Sequence, residues 1–135
     1  MTWTLAAAAF GAGTVGVFTD WLFMGLLFHD AYDRFPEVWR SGIRDGTERR
    51  AILWSSVLGY VTSGGVVALC AAANARGIAA GLAIAVLAWI AGPLVVLAVN
   101  GFFIKLDAKI TFAHSLGWLA RMAIAGAAAG YALSM

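Results

Sequence analysis

Two groups of residues in this 135-residue chain are of types that do chemistry. The first is one carboxylate and one guanidinium, each alone in an apolar run: Asp20 in "VFTDWLFMGLLF" and Arg121 in "HSLGWLARMAIAG". Such a couple can form a hydrogen-bonded ion pair, hold a polar ligand, or pass a proton when the carboxylate titrates. The second group is His29, Asp30 and Asp33, with His114 at the start of the last apolar run. Two imidazoles at one level could share a metal ion, or a haem held between helices. Neither an HxxxH nor an ExxH pair supports that use, and boundary histidines among solvated carboxylates are the simpler reading. His29 with Asp33, and Asp30 with Arg34, are spaced to share a helical face. Cys70 is the only cysteine, so an intrachain disulfide and a cysteine metal cluster are excluded. It reads as a small apolar core residue.

The elements that must position these residues follow from composition. Hydrophobic residues make up 62% of the chain and charged ones 12%, about half the charged share of a soluble domain. Ala51 to Ala73 and Gly77 to Ile104 carry no charge, Thr2 to Phe28 only Asp20, and Ile110 to Met135 only Arg121. Each run exceeds the roughly 20 residues that cross a bilayer core. The fold class is therefore all-α, an integral membrane four-helix bundle forming one domain. Its spans are expected at about 3–28, 51–73, 77–104 and 113–134. The start, "MTWTLAAAAFGAG", lacks a basic n-region, and no cleaved signal peptide is expected.

Charge orients the bundle. Seven of the nine basic residues fall between spans one and two (Arg34, Arg40, Arg44, Arg49, Arg50) or between three and four (Lys105, Lys109). Short loops rich in Lys and Arg stay cytoplasmic, so both termini are expected outside, with loops one and three inside. These charges belong beside lipid headgroups, and no nucleic-acid partner is expected. In loop one, 29–50, Pro36 and Glu37 open a short interfacial helix that Gly42 closes, and Thr47 is the N-cap for span two.

Short "NARG", Asn74 to Gly77, makes spans two and three an antiparallel hairpin. Gly77, Gly81 and Ala85 form one small-residue ladder, and Gly126, Gly130 and Ser134 another. Both suit close packing inside the bundle, and the alternative is a homodimer or larger membrane complex. Pro93 should distort span three around Trp89. Trp21, Trp89, Phe18, Phe23, Phe102 and Phe103 are expected to pack between helices, with a cavity for a lipid, quinone or pigment as the alternative.

Counted from the cytoplasmic boundary, Asp20 lies roughly 13 Å deep, Arg121 roughly 10 Å and Asn100 about 8 Å, with Ser55 and Ser56 at a similar level. Asp20 shares a face with Gly13 and Gly16, and Arg121 with Gly117 and Ala125. Small residues mark faces where helices meet, so both charges should point inward. The expected site is an intramembrane polar layer: an Asp20–Arg121 ion pair completed by Asn100, Ser55 and Ser56.

"DWLFMGLLFHDAYDRFPEVWR", with "HSLGWLARMAIAG", resembles small bacterial four-span membrane proteins grouped as a domain of unknown function. Length, an aromatic-rich first span followed by a polar loop, and four hydrophobic segments carry the resemblance. The Trp-Tyr pair usual early in that family's first span is absent here. The resemblance implies a prokaryotic inner-membrane protein and assigns no catalytic residue. Three functions remain in view. The leading one is a non-enzymatic accessory or small-molecule- or lipid-binding subunit, with no cofactor. The second is a small proton- or ion-coupled transporter using Asp20 and Arg121. The third is a membrane enzyme acting on a lipid-like substrate at the His29/His114 edge.

Overall fold

The computed structural model describes residues 3–30 and 48–135, all-helical with no strand among them. Asp33, the Pro36–Gly42 helix and the Thr47 cap expected from the sequence lie outside the described residues. Helix α1 (Trp3–Asp20) runs on directly as a π-helical segment, Trp21–Leu27, together forming span one. Helix α2 (Glu48–Ala72) is span two. Helix α3 (Ile78–Trp89), a π-helical turn (Ile90–Leu94) and α4 (Val95–Phe103) together form span three. Helix α5 (Ala108–Ser134) is span four.

The spans are 25, 25, 26 and 27 residues long. That corresponds to about 37–40 Å of helix against a hydrocarbon core of about 30 Å. Each is long and apolar enough to cross a membrane. The outer surface agrees in character: Trp3, Phe10, Phe18, Trp21, Phe102 and Phe103 are all exposed. Water would penalise such a surface, whereas lipid tails do not. The deeper aromatics expected to fill the interior thus mostly turn outward. Trp89 is an exception, half-buried with its indole N–H donating to the Ser115 carbonyl at 2.9 Å.

Local chemistry sets the helix ends. The last helix begins at Ala108, earlier than residue 113, because Asp107 caps it: the carboxylate accepts from the Lys109 N–H at 2.7 Å. Helix α2 ends in a Schellman motif, with Asn74 at φ 49°. The Ala75 N–H reaches the Cys70 carbonyl at 2.9 Å and the Asn74 N–H reaches Ala71 at 3.1 Å. In span three the π-helical turn contains Pro93, whose missing N–H cannot continue the α-helical ladder.

Helix α5 is the hub, packing on α1, α2, α3 and α4. Short as the Asn74–Gly77 turn is, α3 packs far more on α5 than on its hairpin partner α2. The reason is glycine. A β-carbon on Gly81 would lie 2.8 Å from the Gly126 carbonyl carbon, and one on Gly130 equally close to that of Gly77. The backbones even bond across the contact, Gly77 N–H to Gly130 carbonyl at 2.8 Å. Gly77, Gly81 and Ala85 therefore meet Gly126 and Gly130 within one chain, while Ser134 is exposed. The core is correspondingly small-residue-rich: Ala12, Ala85, Ala125 and Ala129, with Val66, Val67, Cys70 and Met122. At the end carrying loops one and three, burial is confined to α5 and its cap, with Asp107, Ile110, Ala113 and Ser115 buried. No residue of either π-helical segment or of α4 is buried, and in α2 burial starts only at Gly59.

Candidate functional site

Arg121 stands at the midpoint of α5, on the face it shares with buried Gly117 and Ala125. Helical side chains lean toward the N-terminus of their own helix. For Arg121 that is the end carrying loop three, toward which Asp20 also lies in span one. The lean brings the groups together: Arg121 Nη2 donates to Asp20 Oδ2, forming an ion pair. The same nitrogen lies 3.4 Å from the Gly16 carbonyl.

The guanidinium needs a seat, and two glycines supply it. A β-carbon on Gly16 would stand 3.1 Å from Arg121 Nε, and one on Gly59 only 2.6 Å from Cζ. The positive charge therefore sits between α1 and α2 where neither helix has a side chain. The Trp118 ring centroid lies 6.0 Å from Cζ, within reach of a cation–π contribution.

The two charges are unequally covered. The Arg121 side chain is 5% exposed and that of Asp20 39%. Among the described residues Arg121 Nε is buried with no hydrogen-bond partner, as is the Ser63 hydroxyl one turn beyond Gly59 on α2. Asp20 itself stands where α1 passes into the π-helical segment, a backbone form that recurs at functional sites. Its second oxygen, Oδ1, turns toward Gly117: a β-carbon there would lie 3.8 Å from it and 3.4 Å from Met24 Cε. Gly117 is thus covered by Met24, Asp20 and Phe23, each at ordinary contact distance from where its β-carbon would be.

The remaining members of the expected layer are placed differently. Ser55 and Ser56 donate to the Ile52 carbonyl of their own helix, at 2.8 and 2.9 Å. They do not complete the ion pair, because a serine inside a helix can satisfy itself on the preceding turn. Asn100 is half-buried in α4. The groups that do complete the pair are the Gly16 carbonyl and the open surface of Gly59. Gly59 lies one turn beyond Ser55, and its part in the site appears only once α2 is packed against α5. A further tie, missed from sequence, joins α1 to α2: Thr14 Oγ1 and the Tyr60 hydroxyl lie 3.1 Å apart, with Tyr60 stacked on Phe10 at 5.4 Å.

At the loop-one and loop-three edge, His29 and Asp30 are exposed and His114 is half-buried in α5. Among the described residues no three His, Cys, Asp or Glu side chains converge as a metal site. Cys70 is fully buried, its Sγ 3.9 Å from the Gly81 carbonyl, where it packs α2 against α3. Comparison with protein-family models, curated proteins and solved structures gave no match. Four apolar spans make the chain consistent with a membrane protein, and its function has to be argued from the site.

Proposed function

We propose that this chain is a non-enzymatic, multi-pass subunit of a prokaryotic inner membrane that binds a small molecule or lipid at the Asp20–Arg121 layer. Loops one and three face the cytoplasm in this reading. It rests on the unequal burial of the pair: 5% exposure for Arg121 against 39% for Asp20. A purely structural clamp would cover both charges, since whatever part of a paired carboxylate is left open at this depth has no water to solvate it. Here the cation is fixed and the anion is presented. Native mass spectrometry of protein released from mild detergent tests the reading. Wild type should retain a small molecule or lipid that Asp20→Asn/Arg121→Gln, which removes both charges together, does not retain. Equal retention by the two proteins would refute it.

A second reading, a small proton-coupled transporter, draws on the position of Asp20 at the α-to-π junction. A titratable group at such a joint could couple protonation to movement of the end of span one. Substrate-driven proton uptake into liposomes, lost on replacing Asp20, is its requirement.

A further inference from the structure

The side-chain amide of Asn100 makes no hydrogen bond among the described residues, although it is half-buried in a membrane-spanning helix. Lipid tails cannot supply one, and an amide left unpaired in an apolar medium is costly. From this residue and the face that carries it we propose an interaction surface. Helix α4 pairs with α4 of a second copy of this chain, Asn100 against Asn100.

Helical spacing sets the face. Val96, Val99, Asn100 and Phe103 stand at i, i+3, i+4 and i+7, so they share one side of α4. Val96, Val99 and Phe103 are exposed. The opposite side of the helix is the one in use within the chain. Gly101 turns toward α5 there, and a β-carbon on it would lie 3.8 Å from Thr111 Cγ2. Just before α4 comes the π-helical turn with Pro93, and no residue of either is buried. Span three is thus held closely by α5 at Gly81 in its first half, and its second half carries an unspent face.

Chemistry, depth and packing each select a second copy as the occupant. A primary amide is donor and acceptor at once. Two of them related by a two-fold axis satisfy each other, each N–H donating to the other's carbonyl. A lone hydroxyl or carbonyl on an unrelated helix would use only half of that capacity. Copies inserted with the same topology are related by an axis along the membrane normal, so their α4 helices run parallel. Asn100 then meets Asn100 at one level, which no unrelated helix guarantees. Finally, β-branched residues along a helix seam suit a two-stranded pairing, and a single asparagine there fixes its register. Val96 and Val99 supply the first and Asn100 the second.

Energy transfer between donor- and acceptor-labelled copies in liposomes tests the pairing. The dyes are carried by Arg76→Cys in a Cys70→Ala background, and lipid is added stepwise. The chain with its native α4 should associate, and the signal should fall reversibly as lipid dilutes it. Asn100→Leu should weaken association about three- to tenfold, the scale of interhelical hydrogen bonds in membranes. Asn100→Gln keeps an amide and should retain most of the association. Because α4 contributes no buried residue, both variants should fold, which their melting temperatures check. Oxidative cross-linking in unlabelled Cys70→Ala protein places the contact and needs no change at Asn100. Val99→Cys should link two copies, whereas Val61→Cys, also exposed but on α2, should not. A chain that stays monomeric at every protein-to-lipid ratio overturns the proposal, since lipid alone then covers the face. So does unchanged association of Asn100→Leu, and so does a Val99→Cys variant that cross-links no better than Val61→Cys.

Discussion

The guanidinium of Arg121 lies against Gly59, so close that a β-carbon there would stand 2.6 Å from Cζ. This contact ties α5 to α2, while the carboxylate of Asp20 ties the same side chain to span one. One residue thereby links three of the four spans.

Gly59→Ala should therefore destabilise the bundle by about 1–3 kcal/mol, the usual cost of overpacking. A neighbouring glycine of the same helix is the control. A β-carbon on Gly64 meets nothing within 4 Å, so Gly64→Ala should be neutral or mildly stabilising through helix propensity. Thermal unfolding in mild detergent measures both, and equal melting temperatures for the two variants would remove Gly59 from the site.

Breaking the pair on one side should cost more than removing it whole. Asp20→Asn leaves the Arg121 charge buried without a counter-charge, a situation worth about 3–5 kcal/mol. Asp20→Asn/Arg121→Gln removes the charge as well and should recover much of that loss. A double-mutant cycle by thermal or denaturant unfolding reads the coupling directly. Simple additivity would mean that the two side chains do not interact.

The glycine contact between α3 and α5 makes a second packing prediction. At Gly126 a β-carbon would stand 2.7 Å from that of Ala85 and 3.0 Å from the Gly81 carbonyl carbon, whereas at Gly92 it would meet nothing within 4 Å. Gly126→Val should separate the helices and lower the melting temperature sharply, while Gly92→Ala should not. Protease sensitivity at the Asn74–Gly77 turn should rise in the first variant only.

Orientation can be read with cysteine chemistry, because Cys70 is the sole cysteine and is fully buried. In a Cys70→Ala background, Arg76→Cys should react with a membrane-impermeant maleimide in intact cells. Lys109→Cys should react only after permeabilisation, as the bias of Lys and Arg toward loops one and three requires. The reverse pattern would invert the topology.

Much of this architecture was legible because charge is so scarce. Uninterrupted apolar runs revealed four spans, and the small residues on the faces of Asp20 and Arg121 marked where the two meet, with Arg121 buried and Asp20 part-exposed. The Lys109 charge broke the last run and hid its first turn, although Asp107 is of the type that caps a helix. Depth along a helix said nothing of rotation about its axis. The hydroxyls of Ser55 and Ser56, expected to complete the pair, bond instead to the Ile52 carbonyl of their own helix. The Gly59 seat depends on how α2 is turned toward α5, which no single helix encodes. Outward aromatics were equally hidden, since lipid and core reward the same residues.

The site turns on the pairing of Asp20 with Arg121 between span one and α5. Dipolar solid-state NMR on the protein in lipid membranes tests it most directly, with labels on the Arg121 guanidinium nitrogens and the Asp20 carboxyl carbon. Strong nitrogen–carbon transfer is expected, consistent with a nitrogen-to-oxygen separation below about 4 Å, and it should disappear in Asp20→Asn/Arg121→Gln. Absence of that transfer in the folded wild-type protein would contradict it.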